Sequence, residues 1–129
     1  MNAIVGKTLH LAIGVHVRCD DGEAETHEFV VDVPDGLRWF QGHFQGNPVL
    51  PAVVQTLEVL RLVTATWPDL VGLRRIVRAK FQKPIRPGDS LSLRLTRARG
   101  SNKAAFEYRR DQETCSSGTM EFDDAPGVR

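Results

Sequence analysis

Cysteine and tyrosine are scarce, two and one in 129 residues, and no apolar run approaches the roughly 20 residues that span a bilayer. Each scarcity removes a class. Cys19 and Cys115 lie far apart and neither belongs to a C-x-x-C pair, so neither a zinc site nor a redox pair is indicated, and reduced packing thiols are expected. The first residues, MNAIVGKTLHLAIG, have neither a cleavage-site pattern nor an uninterrupted apolar core, so a cytoplasmic protein without a membrane span is expected. Helix-turn-helix, zinc-finger and aromatic ribonucleoprotein patterns are missing too, which argues against a nucleic-acid partner. What remains is ordinary: 41% hydrophobic and 26% charged residues in one expected domain over 1–129. A chain this long buries roughly two thirds of its unfolded surface and folds without metals or disulfides.

Charge is balanced overall at +1 but unevenly placed. Between Arg74 and Arg110 there are 12 Lys or Arg against two acids, Asp89 and Glu107; elsewhere five basic residues face fourteen acidic ones. One reading is a strand's solvated face, since Leu91, Leu93 and Leu95 alternate with Ser92, Arg94 and Thr96. The other is a surface that steers an acidic partner.

Residues 8–18 are rich in β-formers, and Asp20, Asp21 and Gly22 make a polar turn before a return strand over Thr26–Val33. Alternation sets Phe29, Val31 and Val33 on one face of that strand and Glu28, Val30 and Asp32 on the other. Residues 34–50 carry three glycines and two prolines with no period and read as an irregular loop. From Pro51 the pattern becomes AVVQTLEVLRLVTATW, with apolar residues at 53, 54, 57, 60, 63 and 67, so a helix is expected that stops near Trp67. Val59 and Leu62 widen its apolar surface, which predicts cover on most sides. Four further strands are expected, Leu73–Phe81, Ser90–Ala98, Ala104–Arg110 and Thr114–Phe122, separated by KPIRPGD and by Gly100–Asn102, before a frayed tail over 123–129. One long helix and segregated antiparallel strands make an α+β domain.

The segment Phe40–Glu58, FQGHFQGNPVLPAVVQTLE, is where chemistry concentrates. His43 stands between glycines eight residues before the prolyl helix start. An imidazole, with its ordinary value of about 6.5, removes and returns protons near neutral pH. The first turn of a helix offers unpaired amide hydrogens to a carbonyl oxygen that is gaining negative charge. Together these suit enolisation of a carbonyl compound.

GHFQGNPVLPAVVQ resembles the G-H-F-P-G-x-P-x-x-P-G-V motif of the bacterial (3R)-hydroxyacyl-acyl-carrier-protein dehydratases. Downstream, AKFQKPIRPGDSLSL is similar to that family's F-K-R-P-V-x-P-G-D turn, and ETCSSGTMEF to its last strand, so the resemblance spans roughly 38–122. It implies a hotdog fold, a long helix enclosed by a curved antiparallel sheet, paired as a homodimer or with another hotdog subunit. It implies that His43 takes the C2 proton of a β-hydroxyacyl thioester, and that the backbone amides of Ala52 and Val53 bind the thioester carbonyl. It implies no cofactor beyond the phosphopantetheine of an acyl carrier protein that holds the substrate. Arg74, Arg75, Arg78, Lys80, Lys83 and Arg86 are then the candidates for docking that acidic carrier.

Three departures accompany the likeness. Ala52 stands where the family has glycine. The family's second catalytic group, Glu or Asp, follows the histidine by fourteen positions, and that position is Leu57; Glu58 is one later and enters the site if a shifted helix start or a π-bulge restores the register. The chain begins directly with strands, which together with Gln55 is more like the short dehydratases of aryl-polyene or pigment pathways. Two other functions are open, a hotdog thioesterase and a non-catalytic, carrier-binding partner of a second hotdog subunit. His10, His16 and His27 match no motif and are expected to be structural. Glu58 alternatively pairs with Arg61 at i, i+3.

Overall fold

A computed structural model describes residues 11–35 and 48–124. In chain order it contains β1 (Ala12–Asp20), β2 (Ala24–Asp32), α1 (Ala52–Thr66), β3 (Leu73–Phe81), β4 (Ser90–Ala98), β5 (Lys103–Arg110) and β6 (Glu113–Phe122). The strands form a six-stranded sheet in the order β1-β2-β4-β5-β6-β3, every neighbouring pair antiparallel. This is the helix-and-sheet architecture expected from the sequence, with β1 running on to Asp20, β2 starting two residues earlier and ending one earlier than expected, and β5 and β6 each starting one residue earlier.

The β1–β2 turn works through two aspartates. Asp20 Oδ1 accepts the Gly22 amide, Asp21 Oδ1 accepts the amides of Glu23 and Ala24, and Gly22 takes φ 90°, a conformation that suits a residue without Cβ. Alternation on β2 is as expected: Phe29, Val31 and Val33 are buried while Val30 is exposed. They join Leu91, Leu93 and Leu95 of β4, Ala104, Phe106 and Tyr108 of β5, and Met120 and Phe122 of β6 on the inner face.

Helix α1 lies on that inner face. It buries Val54, Gln55, Glu58, Val59, Leu62 and Val63, a stripe at i, i+1, i+4, i+5 that one face of a 3.6-residue helix provides. Cover on most sides is not what the chain shows: Val53 is 63% and Leu57 51% exposed. Periodicity counted Val53 and Leu57 as core because it cannot assign a direction to an apolar residue. The helix ends where Trp67 leaves helical geometry, its amide still donating to Val63 O, one residue before Pro68.

At the far edge, β3 bulges between Val77 and Lys80, and Arg78 adopts φ 54°. The bulge passes across Gly118 of β6. A Cβ there would sit 2.8 Å from the Phe106 ring and 3.4 Å from Ala79 Cα, so only glycine admits both neighbours. Cys115 is buried, as expected of a packing thiol; Cys19 is exposed on β1, so its packing assignment does not hold.

Candidate active site

Pro51 is extended, with ψ 149°, and the helix begins at the next residue. Its carbonyl accepts the amides of both Val54 and Gln55, at 3.1 Å each. The amides of Ala52 and Val53 precede any intrahelical acceptor, and no hydrogen bond to a described residue uses them. Both residues are exposed. This end of the helix therefore presents two adjacent donors at the positive end of the helix dipole, the arrangement that stabilises a developing oxyanion.

Several hydrogen bonds fix where those donors lie. Leu50 N donates to Ile85 O at 2.7 Å, and the Gln55 side-chain amide donates to Leu50 O at 3.1 Å. Ile85 belongs to the KPIRPGD turn, whose other end is tied to β2: Gly88 N donates to Val33 O and Val33 N to Asp89 O. Within the turn, Asp89 accepts from the Arg86 amide and from the Arg110 guanidinium, which also reaches Pro84 O. Val33 and Leu50 are the two stems of the segment that carries His43. The second sequence motif thus holds both stems of the segment that carries the first, a role that its turn signals alone did not reveal. His43 itself lies outside the described residues, as does His10.

Glu58 is buried, 3% exposed, and Arg61 Nη2 donates to its Oε1 at 2.8 Å, the i, i+3 pairing expected. Burial, with the Glu58 charge adding to it, holds the Tyr108 hydroxyl far above its ordinary value. The helix is regular from its first residue onward and contains no π-bulge. Leu57 and Glu58 thus point about 100° apart, Leu57 outward and Glu58 toward the sheet. No π-bulge therefore brings Glu58 to the place of Leu57.

The six basic candidates for docking do not form one cluster. Arg75 pairs with Glu121 at 2.7 Å and Arg74 lies 3.7 Å from Asp123. Arg78 and Lys80 line a trough across the outer sheet face with Arg94, Thr96, Ser117 and Thr119. Lys83, 3.9 Å from Glu113, and Arg86 sit in the turn that clamps the helix start. All six are exposed. No group of three or more candidate metal ligands occurs among the described residues. No described helix is long and apolar enough to cross a membrane.

At the opposite end of the helix, His16 and His27 form a cluster that sequence pattern left as structural. His27 Nε2 lies 2.6 Å from Glu25 Oε2 and His27 Nδ1 lies 2.6 Å from His16 Nε2. A carboxylate only accepts, so His27 Nε2 carries a proton and, in the neutral pair, Nδ1 accepts from His16. The bond from His27, then that from Arg18, holds the Glu25 carboxyl down at about 2.

Residues 19–119 match the sequence profile of the ApeI-like family, described as ApeI dehydratase. Among curated relatives, the 3-hydroxyacyl-(acyl-carrier-protein) dehydratase FabZ of Desulfotalea psychrophila is 44% identical over 64 residues, 42% of each chain. That of Lactobacillus helveticus is 43% identical over 65 residues, 45% of this chain and 44% of the relative. The aligned part is thus under half the length of these relatives. Among solved structures, an uncharacterized protein from Erwinia carotovora subsp. atroseptica superposes with TM-score 0.80 at 30% identity, over 90% of this chain and 98% of the other. The dehydratase heterocomplex ApeI:P from Xenorhabdus doucetiae superposes with TM-score 0.68 at 26% identity, over 83% and 95%.

Proposed function

The chain belongs to the ApeI-like dehydratase family with a hotdog fold, and from that premise we propose that it removes water from a (3R)-hydroxyacyl thioester on an acyl carrier protein, giving the trans-2-enoyl thioester. The observation that carries this reading is the exposed amide pair of Ala52 and Val53, which no described residue uses and which follows directly on the GHFQGNPVLP segment. The thioester carbonyl accepts from these amides. His43 takes the C2 proton, electrons flow to C2–C3 as the C3–O bond breaks, and the imidazolium returns the proton to the departing hydroxyl as water. No oxidant, reductant or metal enters that balance. Glu58, the sole acid of α1, stands one residue past the family's acid position and faces inward; in this reading it accepts the hydroxyl's hydrogen bond from that inward place rather than from the place of Leu57. The carrier docks on the basic residues between Arg74 and Arg86, and the tethered phosphopantetheine reaches the helix start. The pathway in this reading is aryl-polyene-like, in keeping with the short dehydratases that the strand-first start and Gln55 resemble.

Mass spectrometry of a short β-hydroxyacyl carrier protein tests the reading directly. Wild type is expected to remove 18 Da, and His43→Ala to lower the rate by about 10³-fold without loss of folding. Release of free acid instead would identify a thioesterase and overturn the proposal.

A second reading has one specific observation in its favour. Leu57, at the family's acid position, is exposed and apolar, as a contact with another subunit would require, and a relative is described as a heterocomplex. In that case this chain is the partner of a second hotdog subunit, and water loss appears only when both are mixed.

A further inference from the structure

The geometry points to Gln55 as the positioning residue for the carbonyl-binding amides, an assignment that rests on the dehydratase reading for what those amides do. Four polar side chains are buried among the described residues, and two of them, Gln55 and Ser116, bond to each other. Gln55 is 4% exposed and Ser116 1%. Ser116 Oγ donates to Gln55 Oε1 at 2.7 Å, while Gln55 Nε2 donates to Leu50 O at 3.1 Å. Tyr108, fully buried, donates its hydroxyl to the Gln55 main-chain oxygen at 3.0 Å. One residue thereby joins the segment before the helix, β6 and β5. Leu50 is held from both sides, its carbonyl by Gln55 and its amide by Ile85. Ala52 and Val53 lie between the two points that Gln55 fixes, Leu50 and its own place in the first turn.

The chemistry requires an amide at this position. Leu50 O needs a donor and Ser116 Oγ needs an acceptor, and glutamine supplies both from one planar group. A carboxylate would set two acceptors against each other, and an apolar side chain would leave both partners buried and unpaired. Because its oxygen and one amide hydrogen are already engaged by protein, Gln55 acts through the backbone. Donors that stabilise a developing oxyanion must be placed before the reaction, and displacements near 1 Å cost on the order of 10²-fold in rate.

Three variants test this: Gln55→Leu, Gln55→Glu and Ser116→Ala, each assayed well below its melting temperature. Gln55→Leu is expected to lower kcat about 30-fold with KM within about threefold, because carbonyl stabilisation counts most in the transition state. It should also speed hydrogen exchange of the Leu50 amide about tenfold, a readout independent of turnover. Ser116→Ala should show a smaller fall in kcat. For Gln55→Glu the deficit relative to wild type should shrink as pH is lowered toward 5, where a protonated carboxyl again donates to Leu50 O, an effect that loss of packing would not produce. Wild-type kcat in Gln55→Leu with unchanged Leu50 exchange would overturn the positioning role. If wild type itself removes no water, the dehydratase reading fails, and Leu50 exchange alone decides whether Gln55 holds this turn.

Discussion

The two ends of α1 carry polar clusters arranged in different ways, one with only His27 buried and one buried throughout. At the C-terminal end Glu25, His27, His16 and Arg18 form a continuous chain of short contacts. His27 meets the Trp67 ring edge-on, and Arg97, paired with Asp69, lies over that ring. Among the buried side-chain atoms of the described residues there, Trp67 Nε1 alone lacks a hydrogen-bond partner. At the N-terminal end Gln55, Ser116, Tyr108, Leu50 and Ile85 are as thoroughly bonded, yet their bonds hold in place a pair of amides that bond to no described residue. One set of bonds ties the edge hairpin to the core; the other lies beside two amide donors that no described residue uses. Both ends keep a donor without a partner among the described residues, but the one beside His27 is a buried indole N–H whereas the two at the helix start belong to exposed residues.

Substitutions at the two ends should separate turnover from stability. Glu58→Gln should lower dehydration about 10²-fold in steady-state kinetics, within the range for a group that assists proton transfer, with little change in melting temperature; near-normal turnover would remove Glu58 from the mechanism. His27→Ala should do the reverse. It leaves Glu25 and His16 without their shared partner and opens space beside Trp67, so denaturant unfolding should show a loss of about 2 kcal/mol, with turnover per folded molecule within about twofold.

Those contrasts also show how much was legible in the sequence. Strand alternation and the two prolines flanking α1 set the elements, because periods of 2 and 3.6 and missing amide donors are local properties. Which way a helical residue points is not local. Val53 and Leu57 read as core and are exposed, whereas the polar Gln55 and Glu58 lie under the helix. The His43 segment was legible as a motif, but the clamp on its stems by Gly88, Asp89 and Ile85 depends on a turn more than thirty residues downstream folding back. For the same reason six basic residues close in sequence divide between an outer sheet face and the clamping turn.

Smaller effects sharpen the comparison at the surface. Replacing both Arg78 and Lys80 by Glu should weaken carrier binding severalfold at low salt and less at high salt, as calorimetry would show, while leaving the helix start untouched. An unchanged Kd would reject the outer trough as part of the dock. The smallest change is expected from Glu25→Gln. The Glu25 carboxyl sits at about 2 in the folded chain against 4.5 for the free group, so its contribution is present above pH 4.5 and is lost as pH falls toward 2. The variant should therefore melt earlier than wild type at pH 6, and the gap should close on acidification to pH 2. A gap that persisted there would assign the effect to packing.

The central claim is that the exposed amides of Ala52 and Val53 are a carbonyl-binding pair and that the opposite end of the helix, where the donor left over is the buried Trp67 indole, is not a binding site. Titrating 15N-labelled protein with a β-hydroxyacyl pantetheine, with His43→Ala used to prevent turnover, tests it. The Ala52 and Val53 amide protons should move downfield together and saturate, with the Trp67 indole and the His16–His27 pair unmoved. Saturable shifts confined to the Trp67 end, with Ala52 and Val53 unchanged, would contradict the account.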